Sequence, residues 1–320
     1  MHTHFVYAGD PGDTKISSPY TITQNLYKHL TAQGHKIHYY DWCHTGPLAP
    51  VGPKDIILAH PNYPTNTPTQ RLFQEPTPNK YLIFPIHHGD PSINAPFTPL
   101  VHQAKHVFGI MGQYWFDTLN DNTLPGWKPK ITRLDMAINP NHYPASRQKF
   151  HPPGQRTFAH IGCDRPEKGT HILHDIFQGT QHQLHIYGNF NDSPLLRLPN
   201  VKYHGYVQTT PEFGLELCNK TDVFLNTSTS DANPTTLLEA TCWGLPVACT
   251  PQSGYWPDQP FWGLNPNDLH GIHNLLKYIQ EATNQTLWNQ LEKQRQKINQ
   301  SHTWNQFLTT ITNKIATTKE

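Results

Sequence analysis

The chain has 320 residues, enough for two domains of ordinary size, and its apolar fraction of 36% is modest yet sufficient for globular cores. Twenty-four Lys and Arg stand against 23 Asp and Glu, a net charge of +1, so there is no basic field of the kind that captures nucleic acid polymers, although a small anionic ligand needs only a local patch. The N-terminus enters a strand pattern at His4–Ala8 without a basic leader, and no long apolar run follows, so neither signal peptide nor transmembrane segment is expected and membrane contact is limited to the peripheral kind.

Five cysteines, Cys43, Cys163, Cys218, Cys242 and Cys249, form no CxxC pair, and their odd number suits free thiols in a reducing compartment, so a cytoplasmic location is expected. Twenty-two histidines give pairs at helical spacing, such as His102 with His106 and His171 with His174. In so His-rich a chain, chance supplies roughly 1.5 pairs at any one spacing, and no metal site is expected.

Taken in order, His4–Ala8 is followed by a turn-rich loop, a helix over Tyr20–Ala32 with Ile22, Leu26 and Leu30 on one face, and a strand at Lys36–Tyr40. This is a βαβ unit of a parallel sheet. No GxGxxG occurs in it, so a dinucleotide-binding reading lacks its fingerprint. Further strands are predicted at 55–60, 80–85, 106–111 and 130–134. The strand at 80–85 runs into His87 and His88, which places one or both at the carboxyl end of a parallel sheet, where ligands meet such folds. Pro, Gln and charged residues fill 143–156, which reads as a linker.

A second alternation starts at Thr157. A strand over 157–161 enters Gly162-Cys-Asp-Arg-Pro-Glu-Lys168-Gly169, and the next residues have helical spacing. Lys168 as a point charge and Arg165 as a two-pronged donor suit a pyrophosphate. Strands are predicted at 184–187, at 201–207 and at 222–226, with a helix over 212–219. In the stretch Ser230–Thr250, Asn233 suits an N-cap and Pro234 the first helical position, while Gly244 and Pro246 stop the helix near Trp243 before a strand at 245–250. The N–H groups of Thr235, Thr236 and Leu237, which have no intrahelical acceptor, and the positive dipole end make a seat for phosphate. Asp231 lies just outside the helix start and Glu239 one to two turns inside. Helices over 287–298 and 304–315 close the chain.

A carboxylate, a Pro three residues on, apolar residues, then Glu-Ala and Gly-Leu-Pro-Val resembles the donor-site signature of retaining GT-B glycosyltransferases, especially family four. The family has Glu where this chain has Asp231. Gly162–Gly169 is similar to the family's Gly-Arg-Leu-x-x-x-Lys-Gly loop, with Lys168 on the family's Lys but Cys163 at its Arg, so Arg165 is the candidate substitute. Gln252–Asp258 resembles the Gly-Gly-x-Pro-Glu loop, with one extra residue and Asp for Glu.

The resemblance implies an α/β GT-B fold of two Rossmann-like parallel-sheet domains facing a central cleft. The acceptor-side domain would span 1–150 and the donor domain 151–303, with helix 304–320 packing either back on the first or on its own domain. It implies glycosyl transfer from a nucleoside-diphosphate sugar, with retention and without bound metal or other cofactor, to a glycan, lipid-linked or small-molecule acceptor. Asp231 and His87 or His88 would act on the sugar or acceptor side. Lys168, Arg165, Asn233, Pro234, Thr235 and Thr236 would hold the diphosphate end, Glu239 the ribose, and the backbone at Gly205, Tyr206 and Val207 the nucleobase. Two alternatives remain: a GT-B sugar-nucleotide epimerase, and an inactive binding frame suggested by Cys163 and Asp231.

Overall fold

The computed structural model describes residues 2–12, 17–62, 67–255 and 260–317. The chain divides into two compact units, Met1–Met111 with Thr118–Asp135 and Trp304–Glu320, and Gly112–Asp117 with Met136–Thr303.

In the first unit the strands are β1 (His2–Tyr7), β2 (Lys36–Asp41), β3 (Ile56–Ala59), β4 (Lys80–Pro85), β5 (His106–Ile110) and β6 (Ile131–Leu134). They form a parallel sheet in the order β2-β1-β3-β4-β5-β6. All residues of β3 and β5 are buried, as expected of parallel strands covered on both faces. Helix α1 (Ser18–Ala32) buries Ile22, Leu26 and Leu30, the stripe legible in the sequence. Four short helices were not read from the sequence: α2 (Pro68–Phe73), α3 (Pro91–Asn94) and α4 (Thr98–Gln103) in this unit, and α5 (Gly112–Thr118), which belongs to the second up to Asp117. At four to seven residues they are too short for a 3.6-residue period to register, and α2 rests instead on a capping box between Thr67 and Gln70.

The second unit has β7 (Thr157–Cys163), β8 (Gln183–Asn189), β9 (Val201–Tyr203), β10 (Val223–Asn226), β11 (Val247–Cys249) and β12 (Trp262–Gly263), ordered β12-β11-β10-β7-β8-β9 and again parallel. Its helices are α6 (Thr170–Phe177), α7 (Pro211–Lys220), α8 (Thr235–Trp243), α9 (Leu269–Glu281) and α10 (Asn284–Ser301). The strands alternate between two cores: Phe158, Val223, Leu225 and Ala248 face α6 and α9, whereas Ala159, Phe224, Val247 and Cys249 face α7 and α8. The last helix, α11 (Trp304–Thr317), belongs to the first unit and packs on α1.

Two expectations are corrected here. The strand expected over 201–207 stops at Tyr203, because the chain turns at Gly205 with φ +76°, a conformation open to glycine at little cost. The expected linker at 143–156 is built into the second unit. Arg147, 8% exposed, donates to the carbonyls of Gly244 and Thr221 and stacks over the buried Phe150 ring. Asp222, fully buried, accepts from the main-chain N–H of both His151 and Thr157 and lies 3.7 Å from Arg147. Polar composition concealed this, since the polar groups are buried in pairs.

Both sheets carry histidines whose pKa is lowered by burial, His4 and His185 among them. Burial pushes His106 on β5 and His160 on β7 down to about 4, and their rings bond Thr132 and the Leu225 carbonyl.

Gln294 on α10 is fully buried and behaves as a piece of strand. Its Oε1 accepts from the Val247 N–H at 2.9 Å and its Nε2 donates to the Val247 carbonyl at 3.0 Å, completing β11 where β12 does not reach. Gln294→Leu strands both groups and is expected to destabilise the second unit by about 2–4 kcal/mol. Urea denaturation checks this; an unchanged midpoint would show that the amide is dispensable.

Candidate functional site

The loop after β7 and the loop after β10 are joined main chain to main chain. The Thr229 and Ser230 N–H groups donate to the Glu167 carbonyl at 2.9 and 3.3 Å, and the Thr227 hydroxyl donates to the Gly169 carbonyl at 2.9 Å. Gly169 has φ +66°, and a Cβ there would lie 1.9 Å from the Thr227 carbonyl oxygen, so the loops meet this closely only because the residue is glycine. The contact sets Lys168 opposite Asp231: Nζ and Oδ2 are 2.5 Å apart, with the side chains 32% and 15% exposed.

Asp231 is fixed on both sides of its main chain. Its N–H donates to the Gln252 carbonyl at 3.1 Å, and its carbonyl accepts from the Trp115 indole on α5 at 2.7 Å. Two residues on, Asn233 is 6% exposed and its Oδ1 accepts from the Met136 N–H at 2.5 Å. This corrects the reading of Asn233 as N-cap. Its side chain is engaged elsewhere, the cap is Pro234 with an extended ψ of 134°, and α8 begins at Thr235 with no side-chain cap among the described residues. The Asn233 Nδ2 group is buried without a hydrogen-bond partner among the described residues, beside an uncapped helix start whose leading N–H groups also lack intrahelical acceptors. Tyr255 donates to the Pro234 carbonyl at 2.8 Å.

Glu239, on the first turns of α8, is 8% exposed. Burial raises its pKa, opposed by hydrogen bonds from the Thr235 and Tyr143 hydroxyls, the latter at 3.2 Å. No cation pairs with it in the ion pairs among the described residues. A groove of about 360 Å³ in the second unit is walled by Thr229, Gln252, His171, Asp175 and Asn267, Gln252 being the residue whose carbonyl accepts from the Asp231 N–H.

The Arg165 side chain is 69% exposed and 3.8 Å from Glu167 Oε1. Tyr206 is 74% exposed, Val207 packs partly against the α7–α8 core, and Gly205 accepts from the Gly188 N–H at 2.7 Å. His87 and His88 follow β4 in the first unit, where the His88 ring bonds Thr118 Oγ1 at 2.9 Å and the His87 carbonyl accepts from Asn94. The loop expected at Gln252–Asp258 is described only to Tyr255; the rest lies outside the described residues. Among the described residues no three His, Cys, Asp or Glu side chains form a group able to hold a metal ion. Sequence reading missed Trp115 and Tyr143, whose partners lie 116 and 96 residues away.

Comparison of the coordinates with solved structures finds likeness over the whole chain. A sucrose-phosphate synthase from Thermosynechococcus elongatus matches 98% of this chain and 97% of its own, at 13% identity and TM-score 0.67. A trehalose-6-phosphate structure from E. coli bound with UDP-2-fluoro glucose matches 98% and 99%, at 9% identity and TM-score 0.69. An alpha-glucosyltransferase in complex with UDP and a 13-mer DNA matches 98% and 98%, at 12% identity and TM-score 0.62. The fold is GT-B. No protein-family model matches the sequence, and neither does any curated protein. At such identities the GT-B likeness establishes the fold, and function has to be argued from the site.

The site itself yields a pH prediction. Because the folded pKa of Glu239 is raised, ionising it opposes folding once the pH exceeds the ordinary carboxylate value, and the penalty is complete above the folded pKa. Glu239→Gln keeps the acceptor oxygen and removes the charge. Its melting temperature should exceed that of the parent at pH 7.5, with the difference shrinking as the pH falls through the folded pKa. A pH-independent difference would contradict the assignment.

Proposed function

We propose that the protein is a glycosyltransferase that moves a sugar from a nucleoside-diphosphate sugar to a glycan, lipid-linked or small-molecule acceptor, with retention, without a resident metal, and in the cytoplasm. The observation that carries the reading is the Lys168–Asp231 pair at the uncapped start of α8: a cation and helix N–H groups for a diphosphate, beside a carboxylate for sugar hydroxyls. The GT-B fold supports it, as do UDP and UDP-2-fluoro glucose in the two neighbours that bind them, which make UDP-sugars the first donors to test. Among the described residues no helix is long and apolar enough to cross a membrane.

As the bond from sugar to diphosphate breaks, negative charge collects on the departing phosphate, and groups already aimed at it lower the barrier. Lys168 and the N–H groups of Thr235 and Thr236 take that role, with the Asn233 amide adjacent. Asp231 accepts from the sugar, and Glu239 accepts from ribose. Roles for Gly205, Tyr206 and Val207 at the base, and for His87 or His88, rest on the family resemblance. One observation favours the inactive-frame alternative: Cys163 stands at the family's Arg, and Arg165, the candidate substitute, is 69% exposed beside Glu167. Turnover against a broad acceptor panel separates the two readings.

A thermal-shift screen with UDP-, GDP- and ADP-sugars tests the binding site, since a ligand of the native state alone raises the melting point. Lys168→Ala should weaken binding of the ligand found by about 1.5–3 kcal/mol in calorimetry. Equal affinity would remove Lys168 from the site. Turnover should also survive EDTA; its loss, with recovery on adding magnesium or manganese, would replace the metal-free reading with a metal-assisted one.

A further inference from the structure

Lys168 and Asp231 are each other's partners in a setting that leaves neither much freedom. The Lys168 N–H donates to the Arg165 carbonyl at 3.0 Å, and the next residue is the glycine pressed on Thr227. Asp231 is held at its N–H by Gln252 and at its carbonyl by Trp115. With both main chains fixed, a ligand that takes Lys168 competes directly with the Asp231 carboxylate, and once it succeeds that carboxylate is left charged, 15% exposed and close to the newcomer.

Two ligands of the proposed site differ at this point. A free nucleoside diphosphate brings only further negative charge, so it displaces Asp231 from Lys168 and then repels it. A diphosphate that still carries its sugar brings hydroxyl donors, which give Asp231 new partners as it gives up the old one. We infer that the Lys168–Asp231 pair is a counterion switch that makes the site prefer the intact donor over the spent nucleoside diphosphate. Diphosphate replaces Asp231 on Lys168 while sugar hydroxyls replace Lys168 on Asp231. When the sugar has left, Asp231 reclaims Lys168 and drives the diphosphate out. Trp115 and Gln252 act as positioning residues that keep Asp231 within reach. The inference rests on the reading of the site as a nucleotide-sugar site and adds to it a selection against product.

Calorimetry with UDP, GDP and ADP and with UDP-glucose, GDP-glucose and ADP-glucose tests this on the wild-type protein, Asp231→Asn, Asp231→Ala and Lys168→Ala, each first checked for a cooperative melting curve. In the wild type, a glucose conjugate that binds should bind more tightly than its own nucleoside diphosphate. Both Asp231 variants should bind the free diphosphate about fivefold or more tightly than the wild type, in line with a partly buried ion pair no longer competing, and should lose the preference for the conjugate. Lys168→Ala should weaken both ligands. If wild type prefers the free diphosphate, or if the folded Asp231 variants bind it no more tightly while Lys168→Ala still weakens it, the switch is overturned and the nucleotide-sugar site stands. If no nucleotide binds the wild type, both fall.

Discussion

The contact on which the second unit's site depends is between two main chains, Gly169 against the Thr227 carbonyl. A Cβ at 1.9 Å would force the β7–α6 and β10–α8 loops apart, and with them the Glu167 carbonyl from the Thr229 and Ser230 N–H groups. Lys168 and Asp231, 63 residues apart in sequence, meet only because that seam is closed. The chemistry of the site is therefore set by steric permission at one glycine. The charged side chains follow from it.

Two buried carboxylates in this unit illustrate the difference between a charge that the fold neutralises and one that it leaves available. Asp222 accepts from two main-chain N–H groups and lies beside Arg147 and His151, so its charge is satisfied where it stands and serves to bind the 143–156 segment to the sheet. Glu239 is nearly as buried but has two hydroxyls as partners, and its pKa is raised. A carboxylate kept in such surroundings without a cation is more readily explained by a ligand than by stability.

Much of this was legible in the sequence. Apolar runs located nearly all the strands, the Lys168-Gly169 turn and the Asp231 position pointed to two side chains that the fold pairs, and Gly244 marked the end of α8. What was hidden depended on partners far along the chain. Asn233 looks like a cap by composition, yet its oxygen is taken by Met136, 97 residues earlier, and the helix start moves by one residue. Trp115 sits in a helix of seven residues, too short to show a period, and its bond to Asp231 spans 116 residues. The 143–156 segment reads as solvated because its polar groups are indistinguishable, by type alone, from polar groups paired in a core.

The histidines that burial shifts downward have a consequence for how acid acts on the molecule. His106 and His160 are held at about 4 in the fold against 6.5 in an open chain, so between those values unfolding takes up protons, and each sheet loses stability as the medium is acidified. Glu239 runs the other way, because the folded protein holds its proton at a pH where the open chain has released it. Acidification therefore weakens the sheets through these histidines while relieving the cost of keeping the buried Glu239 ionised.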